Sequence, residues 1–280
     1  MLEWISRFPG YDHVLGSIKT IVGNIILTGP VPRHVGLIMD GNRRYAKKEH
    51  IELREGHSLG FESMAKILEL LYESGVECAS VYAFLIENFK RLSYEVEWLM
   101  QLAKDKFTQI SNQGELAEEY GIKIKILGNV KLLPKDVQDV LHQSEEMTKH
   151  NTRAVLNVCI PYTSRDEITH LIQQIVAHEN EDDEDEDDFF IDESTISNYL
   201  YTNESPPLDL LVRTSGTFRL SDFLLWQCVD PHCAIVFVDK MWPAFTPFDM
   251  CKILINWGFN NYWYGHSSGF VRRKQVKDTV

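Results

Sequence analysis

Apolar residues recur along this chain in two patterns that take turns. Six short apolar runs, at 35–39, 78–84, 122–127, 154–160, 208–212 and 234–238, read as strands. Helical spacing occupies the stretches between them. Phe61, Met64, Ala65, Leu68, Leu71 and Tyr72 share one apolar face, and Gly75 follows as a stop. Ser93 can cap a second helix with Glu95 and Glu97 in its first turn, and Pro134 opens a third at a position that tolerates proline. A fourth starts near Arg165, and the last runs from about Pro247 to Trp257. From Pro30 and Pro32 onward strand and helix alternate, which predicts an α/β fold, a six-stranded, mainly parallel sheet flanked by helices.

The first thirty residues stand apart. Val14, Leu15, Ile18, Ile21, Val22, Ile25 and Ile26 fall at helical spacing, with Ser17, Lys19, Thr20 and Asn24 between them. This amphipathic Val14–Leu27 stretch is shorter than the roughly 20 residues of a membrane span. Glu3 with a single Arg7 makes a poor secretory leader. The stretch reads as lying on a membrane or packing on a partner, with packing on its own domain as the other reading. The chain thus divides into a segment over 1–30, a domain over 31–260 with an acidic insertion at 179–188, and a tail over 261–280.

The chain has 280 residues, 44% of them hydrophobic, ample for a sizeable core. Its net charge is −13, but nine acids lie in the run Glu179 to Asp188, and −4 remains without them. Neither value attracts nucleic acid, which selects basic surfaces. The run reads as a solvated loop; it lacks the glycine and spacing of a calcium loop. Five cysteines, an odd number with no Cys-x-x-Cys pair, argue against a disulfide framework or structural zinc and place the protein facing the cytosol. Cys78 and Cys159 sit in strand-like runs and read as core.

The chemistry gathers after the first strand. Arg33-His34-Val35-Gly36-Leu37-Ile38-Met39-Asp40-Gly41-Asn42-Arg43-Arg44 delivers a carboxylate, a glycine, an amide and two guanidinium groups to a single loop. Asp40 can ligate a hard cation, Gly41 lets backbone N–H groups approach an anion, and Asn42 and Arg44 add side-chain donors. The alternative is a strand-end turn, since Asp-Gly and Gly-Asn are ordinary turn dipeptides. Neither a P-loop nor a Gly-x-Gly-x-x-Gly fingerprint is present. A haloacid-dehalogenase-type phosphotransferase is disfavoured because Asn42 stands where its second aspartate belongs. Polar residues follow other strands at Glu87 to Arg91, Tyr162 to Arg165 and Arg213 to Ser221, and parallel strands would put these ends on one face as an anion-binding cleft.

Residues 34–47, Gly56-His57-Ser58-Leu59-Gly60, Val81 to Arg91, Arg213 to Gln227 and Asp239-Lys240-Met241-Trp242-Pro243 together resemble the cis-prenyltransferase family, the undecaprenyl and dehydrodolichyl diphosphate synthases. The likeness is strongest to the fungal branch of the dehydrodolichyl enzymes. It implies head-to-tail condensation of isopentenyl diphosphate onto farnesyl diphosphate with new cis double bonds, feeding dolichol synthesis and protein glycosylation. It also implies a six-stranded fold with an apolar tunnel, for which Phe61, Phe84, Trp98 and Leu99 are candidate lining. Asp40 is implied as the Mg²⁺ ligand, and Asp40, Asn42 and Asn88 as catalytic. Gly41, Asn42, Arg43 and Arg44 match the allylic-diphosphate loop, His57 a histidine that handles the diphosphate, and Arg213, Arg219 and Ser221 the isopentenyl diphosphate site. Tyr45, Arg54, Glu87 and Arg91 in the same blocks are further substrate-binding candidates.

Three positions depart from the family pattern. Leu85 replaces a serine, Thr217 a glutamate, and Leu53, with Arg54 beside it, a basic residue. A binding or scaffolding subunit with little turnover is therefore the rival reading, and an unrelated phosphate-binding α/β protein the third. The tail carries no Arg-x-Gly. By resemblance this implies a Nogo-B-receptor-like partner subunit and a peripheral place on the cytosolic face of the endoplasmic reticulum membrane.

Overall fold

The computed structural model describes residues 29–113, 121–181 and 191–264. The expected helix at 14–27, residues 182–188 of the acidic run and the tail beyond 264 lie outside the described residues. Six strands, β1 (His34–Ile38), β2 (Cys78–Tyr82), β3 (Ile122–Leu127), β4 (Ala154–Cys159), β5 (Leu210–Arg213) and β6 (Ala234–Phe237), form one sheet in the order β3-β4-β2-β1-β5-β6. Every pairing is parallel. Around it lie α1 (Asn42–Glu49), α2 (Leu53–Glu73), α3 (Ser93–Gln113), α4 (Lys135–Thr148), α5 (Ser164–Glu181), α6 (Glu193–Tyr199) and α7 (Pro247–Tyr264). The chain leaves β1 toward β2 and leaves β5 toward β6, so the crevice between the carboxyl ends of β1 and β5 is the topological switch point where open α/β sheets bind ligands.

Two elements differ from the sequence pattern, the first for a clear physical reason. Residues 42–44, expected in a loop, begin α1, because Gly41 at φ 113° turns the chain directly from strand into helix. Only Ala46 of α1 is buried, so the helix carries no apolar stripe to read. The last helix continues past Trp257 to Tyr264.

The two faces of the sheet differ in chemistry. Val35, Leu37, Ala79, Val81, Leu156, Val158, Leu210 and Val212 alternate onto one face and pack against α2, α3, α4 and α7 in the main core. The other face carries a buried polar line. Asn157 donates to Ser80 Oγ at 3.0 Å, Ser80 lies 2.8 Å from His34 Nε2, and His34 Nδ1 donates to the Pro206 carbonyl at 2.8 Å. A carbonyl only accepts, so the His34 proton sits on Nδ1 and Ser80 donates to Nε2.

α1 and α2 approach closely through glycine. A Cβ on Gly56 would lie 2.9 Å from Ala46 Cβ, and one on Gly60 would lie 2.4 Å from Asn42 Oδ1 and 3.2 Å from Trp242 Cδ1. Buried Trp242 closes the joint, its Nε1 donating to Gly60 O at 2.7 Å and its backbone N–H to Asp40 O at 3.0 Å. Gly60→Ala is expected to overpack this joint and lower stability by about 1–3 kcal/mol, read as a lower urea midpoint with unchanged m-value. An unchanged midpoint would show that the helices have room to separate.

Candidate active site

Asp40 leaves β1 at the switch point, and its backbone is held there. Its carbonyl accepts from Thr214 Oγ1 at 2.8 Å and from the Trp242 N–H. Its Oδ2 takes Arg213 Nη2 at 2.9 Å across the crevice and Arg44 Nη2 at 3.3 Å from one turn into α1. Burial opposes ionisation of Asp40, but the hydrogen bond and charge of Arg213, with Arg44 behind it, outweigh burial and hold the carboxyl below its usual range. Arg213 is 3% exposed and donates through Nη1 to Ser221 Oγ at 2.6 Å and to Arg219 O at 2.5 Å. Arg219 Nε donates to the same Ser221 hydroxyl at 3.2 Å. One buried guanidinium therefore organises both the carboxylate and the loop after β5.

α1 starts at this point with its first-turn N–H groups uncapped by any side chain and no acid in its first turn. A helix N-terminus so placed favours an anion. Gly41 admits the approach, since a Cβ there would meet Ser215 Oγ at 2.8 Å and Met241 Cβ at 3.0 Å.

A second basic group faces the first. Arg43 and Arg91 both turn to Glu95, at 3.8 Å and 2.7 Å, and the Glu95 side chain is only 6% exposed. His57 on α2 lies beside Trp98, ring centroids 5.5 Å apart. Burial first, and then the charge of Arg91, push His57 down to about 4, with Glu95 opposing and Arg43 assisting. His57 is neutral at neutral pH.

Below this rim lies a cavity of about 410 Å³. Asp40, Asn42, Arg43, His57, Asn88, Arg91, Arg213, Arg219 and Ser221 line its polar end, and Met64, Phe84, Leu99, Phe107, Val158 and Ile160 are among its apolar walls. Phe61 also lines it, whereas Trp98, a candidate for the same role, packs behind His57. Three cavity-lining residues bury a polar atom with no hydrogen-bond partner in the protein, Asn42 Oδ1, His57 Nε2 and Arg213 Nε; Ser74, Asn157, Ser215 and Gln227 do so elsewhere among the described residues. Buried polar groups are nearly always paired, so the three that share one cavity mark where a polar ligand belongs. Among the described residues no three His, Cys, Asp or Glu side chains gather as a metal cage. A single carboxylate fits Mg²⁺ nonetheless, because that ion takes one or two carboxylates and fills its octahedron with water and substrate phosphate oxygens.

A prenyltransferase family model described as an undecaprenyl diphosphate synthase matches residues 38–265. The chain belongs to the cis-prenyltransferase family. A dehydrodolichyl diphosphate synthase complex subunit of Schizosaccharomyces pombe is 43% identical over 92% of this chain and 97% of its own length. The human subunit of that name is also 43% identical, over 93% of this chain and 75% of its own length. Among solved structures, lavandulyl diphosphate synthase from Lavandula x intermedia, in complex with dimethylallyl diphosphate, superposes with a TM-score of 0.73 at 28% identity, covering 81% of this chain and 95% of that one.

Within this cis-prenyltransferase the site residues named from sequence sort by position. Those lining the cavity are given above, and Gly41 and Arg44 adjoin it. Three do not reach it: Tyr45 is half-buried on α1, Arg54 is exposed on the first turn of α2, and Glu87 bonds outward to Arg165 at 2.8 Å. One site feature escapes the sequence reading. Glu95 was read as a helix-start acid, though its spacing of four from Arg91 is the spacing of an ion pair. Thr217, where the family pattern has glutamate, accepts from Arg44 Nη2 at 3.3 Å, so the rim keeps a polar partner without the carboxylate.

His34 and His57 give a signed pH dependence. Burial drives His34 to about 4, opposed by its bond to Pro206, and the reference value for each histidine is 6.5. A folded pKa below the unfolded one means that their stabilisation is complete above about pH 6.5 and is lost as pH falls toward 4. Imidazole ¹⁵N shifts should show both rings neutral at pH 5.5. Added inorganic pyrophosphate should raise the midpoint of cavity-lining His57 and leave His34 unmoved. Protonation of either free ring near pH 6.5, or equal response to pyrophosphate, would contradict this placement.

Proposed function

We propose that this cis-prenyltransferase is the catalytic subunit of a dehydrodolichyl-type synthase, adding isopentenyl diphosphate units to farnesyl diphosphate with Mg²⁺ to make long polyprenyl diphosphates for dolichol synthesis. The observation that carries the reading is a single cavity with a basic, polar end, where Asn42, His57 and Arg213 bury unpartnered polar atoms, and apolar walls beyond it. Such a site suits a ligand with a charged head and a hydrocarbon tail.

The chemistry follows from the residues. Breaking the allylic C–O bond leaves charge on the departing diphosphate, and the α1 N–H groups with Asn42, Arg43 and Arg44 are placed to stabilise it as it develops. Mg²⁺ bound through Asp40 would add Lewis-acid neutralisation of that diphosphate. Arg213, Arg219 and Ser221 form the site of isopentenyl diphosphate beside it, the Arg219 guanidinium suited to a diphosphate and Arg213 holding the loop and adding its charge. Asn88 orients this second substrate. An amide is a poor base, so a diphosphate oxygen takes the proton released as the new double bond forms. Neutral His57 donates a hydrogen bond to the allylic diphosphate. The lengthening chain moves into the apolar cavity, the tunnel of this reading.

A partner subunit completes the assembly in this reading. The fission yeast and human relatives are named as complex subunits. β6 is an edge strand of four apolar residues, all half-buried, and Phe218 and Val229 near it are 64% and 75% exposed. An uncovered apolar edge invites another chain. We assign this place to a Nogo-B-receptor-like subunit on the cytosolic face of the endoplasmic reticulum. Among the described residues no helix is long and apolar enough to cross a membrane. The rival reading, a binding subunit with little turnover, draws on Leu85 and Thr217.

The deciding measurement is incorporation of labelled isopentenyl diphosphate onto farnesyl diphosphate with Mg²⁺, followed by chain-length analysis, with and without the partner at matched concentrations. Weak activity alone and strong activity with the partner is expected. Full activity alone would remove the partner requirement, and binding without incorporation in the complex would favour the rival.

Arg219→Ala separates the two substrates. Loss of a charge-assisted contact worth about 1.5–3 kcal/mol should raise KM for isopentenyl diphosphate tenfold or more, with a smaller effect on farnesyl diphosphate. Equal weakening of both would misplace the site.

A further inference from the structure

Arg165, the second residue of α5, lines no part of the cavity, yet it joins two elements that do. Its Nε donates to Asp222 Oδ2 at 2.6 Å and its backbone N–H to Asp222 Oδ1 at 3.2 Å. The far edge of the same guanidinium, Nη2, donates to Glu87 Oε1 at 2.8 Å. Asp222 follows Ser221, and Glu87 precedes Asn88. One side chain therefore spans from the loop that carries Arg219 and Ser221 to the 3₁₀ turn Ile86–Lys90 that carries Asn88.

The loop needs such a hold because its backbone is strained. Ser221, Asp222 and Leu224 all have positive φ, at 51°, 60° and 46°, and none is glycine. Side chains in this region clash with the following carbonyl, and the conformation persists only where surroundings over-determine it. The N-terminus of α5 supplies most of that determination. Ser164 N–H donates to Asp222 O at 2.8 Å, and Leu225 N–H donates back to Ser164 Oγ at 2.9 Å. Tyr82 OH donates to Ser221 O at 3.1 Å from below. Those bonds secure the loop to the scaffold. The Arg165 guanidinium links it to the Asn88 turn, and Leu85, just before that turn, pairs with Tyr162, just before α5.

Resting on the function proposed above, we infer that Arg165 is a positioning residue for the isopentenyl diphosphate site: it locks the 219–224 loop to the 86–90 turn so that Arg219, Ser221 and Asn88 address one substrate. It acts through Asp222 and Glu87 and touches no substrate itself. Arg165 is 75% and Glu87 40% exposed, so their pair contributes little to global stability, while Asp222 is 15% exposed and keeps the Arg165 backbone N–H as a partner; the effect of the guanidinium lies in the loop's pose.

The test uses the assembly that gives activity in reconstitution. Arg165→Gln should raise KM for isopentenyl diphosphate about tenfold or more, as misplacement of a positioned group does, with KM for farnesyl diphosphate within about twofold. The melting temperature should stay within about two degrees, because Arg165 is exposed and Asp222 keeps its backbone N–H partner. Asp222→Asn should give the same split, and the double variant should be no worse than the more impaired single one, because both remove the same lock. Additive losses, an equal rise for both substrates, or a fall in melting temperature that tracks the loss would overturn the role. Calorimetric titration with isopentenyl diphosphate separates the two layers of inference. Wild-type assembly that neither binds nor incorporates it overturns the functional reading and this role together. Wild type that does both, beside Arg165→Gln with unchanged constants, overturns the role alone.

Discussion

The Arg213 to Asp40 ion pair is the constraint from which the rest of the site is built. A guanidinium that is 3% exposed must be paired, because an unpaired buried charge is strongly destabilising. The pair joins the carboxyl ends of β1 and β5 at 2.9 Å, across the crevice where the sheet changes winding direction. Arg213 then spends its remaining Nη on the Arg219 carbonyl and the Ser221 hydroxyl, which folds the following loop back over the strand end. Its Nε is left without a partner in the protein.

That loop rests on aromatic and acidic groups beneath the sheet. Phe223 is fully buried, stacked on Tyr82 with centroids 4.3 Å apart and edge-on to Tyr162 at 5.8 Å. Tyr162 OH donates to Glu167 Oε2 at 2.5 Å, and Glu167 also accepts from the Tyr201 N–H at 2.9 Å and from Gln227 at 3.3 Å. Burial raises the Glu167 pKa, and the three donors pull it back. Positive-φ residues cost on the order of 1–2 kcal/mol each. Packing of this density is what keeps three of them in place.

The two ends of the cavity answer to different physics. At the rim, α1 and the β5 loop aim donors inward. In the depth, α2 and α3 supply aliphatic and aromatic wall. The helices approach each other and the sheet only as their side chains allow, and Gly56 and Gly60 bring α1 against α2 so that Asn42 reaches the cavity while Trp242 seals the joint. A ligand that is charged at one end and hydrocarbon at the other meets both environments without moving either wall.

The strands were legible because each is an apolar run bounded by polar residues, and all six begin and end within two residues of the pattern. Asp40 and Asn42 could be read from their own residues as a phosphate loop or a strand-end turn, and Arg213 took its role through the family resemblance; the structure brings all three to one cavity. α1 and α6 were not, since short helices with few buried residues leave no periodic stripe. Glu87 was read toward substrate and turns to Arg165, because neighbours in sequence share a turn but not a direction. Glu95 and Arg165 show the same limit from the other side: each owes its place to partners brought in by the fold, 52 residues away for Arg43 and 57 for Asp222. Local chemistry is written in the order of residues. Which groups face one another is decided only when β5 returns to lie beside β1, a pairing that no short stretch of sequence encodes.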